Sequence, residues 1–105
     1  MGTEICMAIY RPKPGKDAEL AALIEGHVPV LRGEGLATDR EAIVMRSRDG
    51  SFVEIFEWAE ADAAGRAHEN AAVAAIWGAM MEVATFGVPA DLAEATTRFA
   101  HFAPV

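Results

Sequence analysis

The chain has 105 residues, of which 52% are apolar, and its net charge at pH 7 is −7. This length and composition predict one globular domain spanning residues 1–105 and exclude a disordered chain. The negative charge argues against nucleic acid and anionic membranes as partners, because both would repel the protein. A single cysteine, Cys6, excludes an intrachain disulfide and a cysteine-based zinc cluster.

Targeting and cofactor motifs are not found along the chain. The N-terminal residues have neither the basic nor the apolar region of a signal peptide, and the longest uncharged run, Asn70–Met81, is too short to span a bilayer. We therefore expect a cytoplasmic protein with no membrane partner. His68-Glu69 could begin a zinc motif, but Ala72 stands where the second histidine is required. With no glycine-rich nucleotide motif either, the sequence predicts no metal and no cofactor.

The first two elements are predicted to be a strand and a helix. Residues 4–10 are rich in strand formers, and the prolines that follow end the strand. A helix is predicted from about Lys16 to Gly33, with one apolar stripe at helical spacing that includes His27. Pro29 lies inside this pattern, so we expect the helix to kink or restart there.

A hairpin is predicted next. Asp49-Gly50 separates two strand-like segments, residues 42–48 and 51–58, and this dipeptide is typical of a two-residue hairpin loop. Such a loop would place Arg46 opposite Val53 in the paired strands.

The second half of the chain is predicted to contain a helical region and a last strand. Residues 59–84 are alanine-rich and helical in composition, with a break expected near Asn70. Glu94–Phe102 alternates weakly and is predicted to be the last strand. The resulting β-α-β-β-α-β order is the ferredoxin-like arrangement, an α+β fold with a four-stranded antiparallel sheet and both helices on one face. Because the other face also carries large apolar groups, we expect a homodimer.

Three motifs carry a resemblance to a known family. They are Tyr10-Arg-Pro-Lys-Pro-Gly15 after the first strand, Glu54-Ile-Phe-Glu-Trp58 at the end of the third, and Ala67-His68 in the following helix. With these motifs the chain resembles the dimeric α+β barrel superfamily, and within it the proteins similar to antibiotic-biosynthesis monooxygenases. The likeness does not extend to the haem-degrading branch, because the first strand has no asparagine and Ile76-Trp77 stands where the haem-ligating histidine would fall.

Three side chains are candidate acids or bases. His27 lies in an apolar stripe, where partial desolvation favours a neutral imidazole that can accept a proton. His68 stands where the resemblance implies a recurring histidine, and Glu54 lies between two aromatic residues of its strand. Each also has a structural interpretation: a satisfied core histidine for His27, a helix cap for His68, and an ion pair with Arg46 or Arg98 across a dimer for Glu54.

The remaining candidates would shape a binding pocket. Tyr10, Phe56 and Trp58 could contact a small apolar or aromatic ligand, although aromatic side chains at strand spacing are also common in cores. The resemblance implies a cofactor-independent oxygenase or an isomerase that acts by general acid/base chemistry. The alternative is a homodimer that only binds a small molecule or has a structural role, and the residues do not decide between these functions.

Overall fold

The computed structural model describes residues 2–105 and has an α+β fold with one five-stranded antiparallel sheet. The strands stand in the order β4-β1-β3-β2-β5. They are β1 (Glu4–Pro12), β2 (Ile43–Arg46), β3 (Phe52–Trp58), β4 (Ala84–Gly87) and β5 (Ala103–Pro104). The helices are α1 (Asp17–Gly33), α2 (Ala63–Ala67) and α3 (Ala71–Val83). Among residues 2–105, no helix is both long enough and apolar enough to cross a membrane.

Helix α1 follows the predicted stripe. Two acidic residues, Asp17 and Glu19, lie in its first turn, where the helix dipole favours negative charge. Its buried face includes Leu20, His27 and Leu31, which point toward the sheet. The helix continues through Pro29, so the expected restart does not occur; this proline is exposed, and its ring therefore does not enter the core.

The predicted break near Asn70 is confirmed. The Asn70 side chain accepts a hydrogen bond of 3.0 Å from the Val73 backbone N–H, which caps the first turn of α3. Helix α3 then packs beside α1 on one face of the sheet, which we call the inner face. Apolar residues of both helices and of the inner face form the core.

The hairpin between β2 and β3 differs from the prediction by one residue. Residues 48–50 form its loop, Ser47 N–H donates to the Ser51 carbonyl, and Gly50 has a φ of +93°. A glycine in this left-handed conformation is typical of three-residue loops, so the two-residue prediction was wrong. Arg46 therefore stands opposite Phe52 and not Val53. This shift of one residue in the register places every β2 side chain on the face of the sheet opposite to the predicted one.

The prediction of a last strand at Glu94–Phe102 was also wrong. The fourth strand is β4, which follows α3 directly and pairs with the second half of β1. Four residues are too few to show strand periodicity, and helical composition leads into them without a loop. The short β5 pairs with Met45 and Arg46, so the sheet has five strands where four were predicted.

Residues 88–102, which we call the C-terminal segment, cover part of the sheet face opposite the helices, the outer face. Leu92 and Phe102 pack against Ile9 and Val53. Glu94 holds the segment to the hairpin, because its carboxylate accepts from the Ser47 hydroxyl at 2.7 Å and from the Arg48 backbone N–H at 2.9 Å. These two hydrogen bonds join the segment to a loop more than forty positions earlier in the chain.

This attachment is expected to weaken in acid. The Arg48 backbone N–H and then the Ser47 hydroxyl lower the pKa of Glu94 below its ordinary value of 4.5. A lowered pKa contributes stability at pH values above 4.5, and this contribution is lost as the pH falls through the pKa of the folded state. Amide exchange should therefore show lower protection of Leu92 and Ala95, whose N–H groups donate to the Pro89 and Leu92 carbonyls, below pH 4.5 than at pH 7.

A Glu94→Gln variant provides the control for this prediction. Glutamine cannot gain or lose a proton here, and its hydrogen bonds lack the contribution of charge. We expect low protection of the C-terminal segment already at pH 7 and little further change in acid. Equal pH dependence in the variant and the natural protein would show that another group controls the segment.

Candidate functional site

An apolar cavity of about 280 Å³, which we call the aromatic cavity, lies between the inner face of the sheet and the helices. Strands β1, β3 and β4 form its floor, and side chains of α1 and α3 close it from above. Its lining consists mainly of aromatic and small apolar residues: Cys6, Ala8, Ile9, Tyr10, His27, Phe56, Trp58, His68, Trp77, Phe86 and Gly87.

His27 and Glu54 form a buried pair beside this cavity. The helical stripe of α1 turns His27 toward the sheet, and the period of β3 places Glu54 on the inner face with Phe52 and Phe56. The His27 Nδ1 atom lies 2.8 Å from Glu54 Oε1, and the two side chains are 3% and 0% exposed. Polar groups this deeply buried need hydrogen-bond partners within the protein, and the carboxylate and the imidazole provide one for each other.

Trp77 determines which nitrogen of His27 carries the proton. Its indole Nε1–H, which can only donate, lies 2.9 Å from His27 Nε2. The Nε2 atom must therefore accept with its lone pair, so the imidazole is neutral and holds its proton on Nδ1. That proton is donated to Glu54 Oε1.

Tyr10 completes a chain of hydrogen bonds across the core. Its hydroxyl donates to the same oxygen, Glu54 Oε1, at 2.7 Å. Burial raises the pKa of the Tyr10 hydroxyl, and the nearby Glu54 carboxylate raises it further. The phenol therefore stays protonated, and the chain runs from Trp77 through His27 and Glu54 to Tyr10.

His68 lies at the mouth of the cavity. It is the C-cap residue of α2 and is exposed, yet its ring also packs edge-on against Trp77 with 5.0 Å between ring centroids. It thus combines the helix-cap position with a place in the cavity lining. Phe56 and Trp58, which are buried, pack edge-on with 4.9 Å between their ring centroids, and Phe56 also packs edge-on against the His27 ring with 5.6 Å between centroids.

The structure brings the candidate residues of the sequence to one place. Tyr10, His27, Phe56, Trp58 and His68 line the aromatic cavity. Glu54 is not part of the lining but lies behind it, in contact with His27 and Tyr10. Among residues 2–105, the hydrogen-bond partners of Glu54 are therefore His27 and Tyr10. Arg46, one of the cations considered for it, instead contacts Asp17 and lies over the Phe52 ring at 4.3 Å.

Sequence reasoning did not find the polar role of Trp77. Its place in the stripe of α3 predicts a core residue, and the hydrogen bond to His27 joins positions 50 apart. Cys6 also lines the cavity, although its thiol stays protonated because burial raises its pKa. Phe86 lies on β4 and packs edge-on against Tyr10.

The arrangement supplies an apolar space, a neutral imidazole and a carboxylate that can stabilise the imidazolium, which are the parts of a general base. Across residues 2–105, no three or more His, Cys, Asp or Glu side chains are grouped so that they could hold a metal ion. In comparisons with known proteins, no family model and no curated protein matches the chain.

Proposed function

We propose that the protein binds a small aromatic ligand with an acidic O–H or C–H group in the aromatic cavity and removes that proton. His27 is the general base, and the reaction is that of a cofactor-independent oxygenase or an isomerase. The observation that carries the proposal is the His27–Glu54 pair, which is almost fully buried and lies beside an apolar cavity. Ionisable groups in such a position are frequent in functional sites.

The size of the cavity supports a ligand of one or two rings. A dry protein cavity of about 150 Å³ binds benzene. The aromatic cavity has about 280 Å³, which suits a monocyclic or bicyclic compound. Its walls offer ring faces and edges for stacking, and few groups that would hydrogen-bond a highly polar ligand.

The proton transfer would use the free electron pair of His27 Nε2. The ligand's acidic hydrogen would replace the Trp77 N–H at this atom, so the indole must move aside when the ligand binds. Nε2 then takes the proton, and the Glu54 carboxylate stabilises the imidazolium through Nδ1. Tyr10 keeps Glu54 in place by its own hydrogen bond. His68, at the mouth, is placed to contact a polar group of the ligand.

A pair of bicyclic probes tests this function. We expect the protein to exchange the acidic C–H of 2-tetralone for deuterium, or to consume oxygen with 1,4-naphthohydroquinone. The Glu54→Gln variant keeps an acceptor oxygen but loses the charge that stabilises the imidazolium, so its rate should fall by about 10²–10⁴ with little change in probe affinity. Equal rates in the variant and the natural protein would contradict a His27–Glu54 base.

Non-catalytic binding is the second candidate function. It is favoured by the fact that both ring nitrogens of His27 already have hydrogen-bond partners. In that case the pair only shapes the cavity. Binding of 2-tetralone without any deuterium exchange would support this alternative.

We further propose that the chain belongs to the dimeric α+β barrel superfamily and forms a homodimer. The order β4-β1-β3-β2 of the first four strands, with the helices on one face, supports a ferredoxin-like core. On the outer face, Met7, Ile55 and Ile43 form one cross-strand row, in which Met7 is 47% and Ile43 57% exposed. A second copy related by a two-fold axis would cover this row with the identical row of its partner.

A further inference from the structure

The second oxygen of Glu54 has no partner among residues 2–105. Oε1 accepts hydrogen bonds from His27 and Tyr10, whereas Oε2 is buried and accepts none. A buried carboxylate oxygen without a donor is rare in proteins and unfavourable. The unpaired Oε2 of Glu54 therefore indicates a hydrogen-bond donor from outside the protein, such as a bound water molecule.

A second cavity, of about 300 Å³, lies on the other side of Glu54. It lies between α1 and β2, whereas the aromatic cavity lies over β1, β3 and β4, and the two have no lining residue in common. Glu54 lines the second cavity and contacts His27 and Tyr10, which line the aromatic cavity, so its side chain lies between the two spaces. The lining of the second cavity is Ile24, Glu25, Val28, Pro29, Arg32, Glu41, Ala42, Val44 and Glu54.

The second cavity is suited to water. Pro29 has no backbone N–H, so the Glu25 carbonyl lacks its usual donor within α1, and both residues line the cavity. The charged groups around the cavity are those of Glu25, Arg32 and Glu41. Arg32 is held there because its guanidinium donates to two backbone carbonyls of the following loop. A buried water needs two to four polar partners, and these groups together with Glu54 Oε2 can supply them.

We propose that the second cavity is a hydrated path through which the His27–Glu54 pair exchanges protons with solvent, on the side opposite the ligand. This inference rests on the proposed function, in which His27 is the base. It gives Glu54 the role of a positioning and proton-transferring residue that acts through His27. The aromatic cavity can then remain dry while a proton leaves or enters from behind.

The proton balance of this path is simple. His27 Nε2 takes a proton from the ligand, which becomes an anion, and Nδ1 gives its proton to the Glu54 carboxylate. The carboxyl group then turns about its Cγ–Cδ bond, so that the oxygen that carries the proton faces the second cavity, and releases this proton to water there. His27 ends neutral with its proton on Nε2, Glu54 ends as a carboxylate, and one proton has passed from ligand to solvent. The reverse sequence restores the starting tautomer when the product takes its proton back.

The test measures exchange of the His27 Nδ1 hydrogen with solvent, by NMR on histidine-labelled protein without ligand. Ala42→Leu fills the second cavity from the β2 side, and Ala8→Val narrows the aromatic cavity as the matched control. We expect Ala42→Leu to slow the exchange by about tenfold or more, because exchange then needs a local opening of the structure. In Ala8→Val the rate should stay within about twofold of the natural protein.

A second variant covers the case in which Ala42→Leu disturbs folding. Pro29→Ala restores a donor to the Glu25 carbonyl and thereby removes one partner of the water, so it should also slow the exchange. Slower exchange in Ala8→Val alone, or in none of the three variants, would overturn the proposed path. Because no ligand is present, these outcomes are independent of whether 2-tetralone binds or reacts.

Discussion

Replacing His27 with leucine is expected to lower the free energy of unfolding by about 3–5 kcal/mol. The substitution leaves the Glu54 carboxylate fully buried with only the Tyr10 hydroxyl as a donor. It also removes the acceptor of the Trp77 N–H. Chemical denaturation followed by tryptophan fluorescence measures the change. The matched control is His68→Leu, which should stay within about 0.5 kcal/mol because this histidine is exposed.

The double variant His27→Leu/Glu54→Leu separates stability from function. Replacing a whole buried ionic pair by apolar residues of similar volume is often neutral or stabilising. We therefore expect the double variant to recover most of the stability lost by His27→Leu. The recovery is complete only where the Tyr10 hydroxyl and the Trp77 N–H find water or another acceptor, because each would otherwise cost about 1–3 kcal/mol as an unpaired buried group. A double variant that is stable but inactive would mean that the pair serves the reaction and not the fold.

Replacing Met7 with glutamate is expected to convert the proposed homodimer into a monomer. Met7 lies on the outer face, opposite Ile55 of the neighbouring strand, and the two-fold axis of the proposed dimer would bring two copies of each substitution into one interface. Burying two unpaired carboxylates should weaken the dimer by at least about a hundredfold. Light scattering coupled to size-exclusion chromatography at about 1 μM protein measures the effect.

Ala74→Glu is the matched control for the outer face. Ala74 is exposed on α3, so the same charge is added on the helical side of the molecule. This variant should remain dimeric. If the natural protein is monomeric under these conditions, or if Met7→Glu stays dimeric, the outer face is not the dimer interface.

The sequence predicted the order of the elements in the first two thirds of the chain, because strong local patterns determine them, whereas the register of the β2–β3 hairpin was predicted wrongly. In the sequence, the apolar stripe of α1 is visible as helical spacing, and the break before α3 is visible as the capping residue Asn70. The end of the chain was predicted less well. The strand β4 has only four residues and follows α3 without a loop, and its pairing with β1 depends on contacts distant in sequence. The loop at Gly50 shows that one extra residue is enough to change which face a strand presents.

The candidate site was predicted residue by residue but not as an arrangement. His27 and Glu54 were each noted for a polar group in an apolar pattern, and the structure shows that they contact each other. Their pairing joins a helix to a strand 27 positions later, which no local pattern encodes. The hydrogen bond from Trp77 to His27 Nε2 was not predictable for the same reason, because it joins residues 50 positions apart. A sheet with one face covered by helices brings such distant residues together.

The central claim is that His27 is a base that a ligand can reach in the aromatic cavity. A titration of histidine-labelled protein with 1-naphthol, followed by ¹⁵N NMR, tests it most directly. In the free protein, we expect Nδ1 of His27 to carry the proton and Nε2 to be an acceptor. With bound naphthol, the Nε2 resonance should move toward that of a protonated nitrogen and saturate at one ligand per chain. A spectrum in which His27 does not change, while naphthol shifts only His68 or His101, would contradict the account.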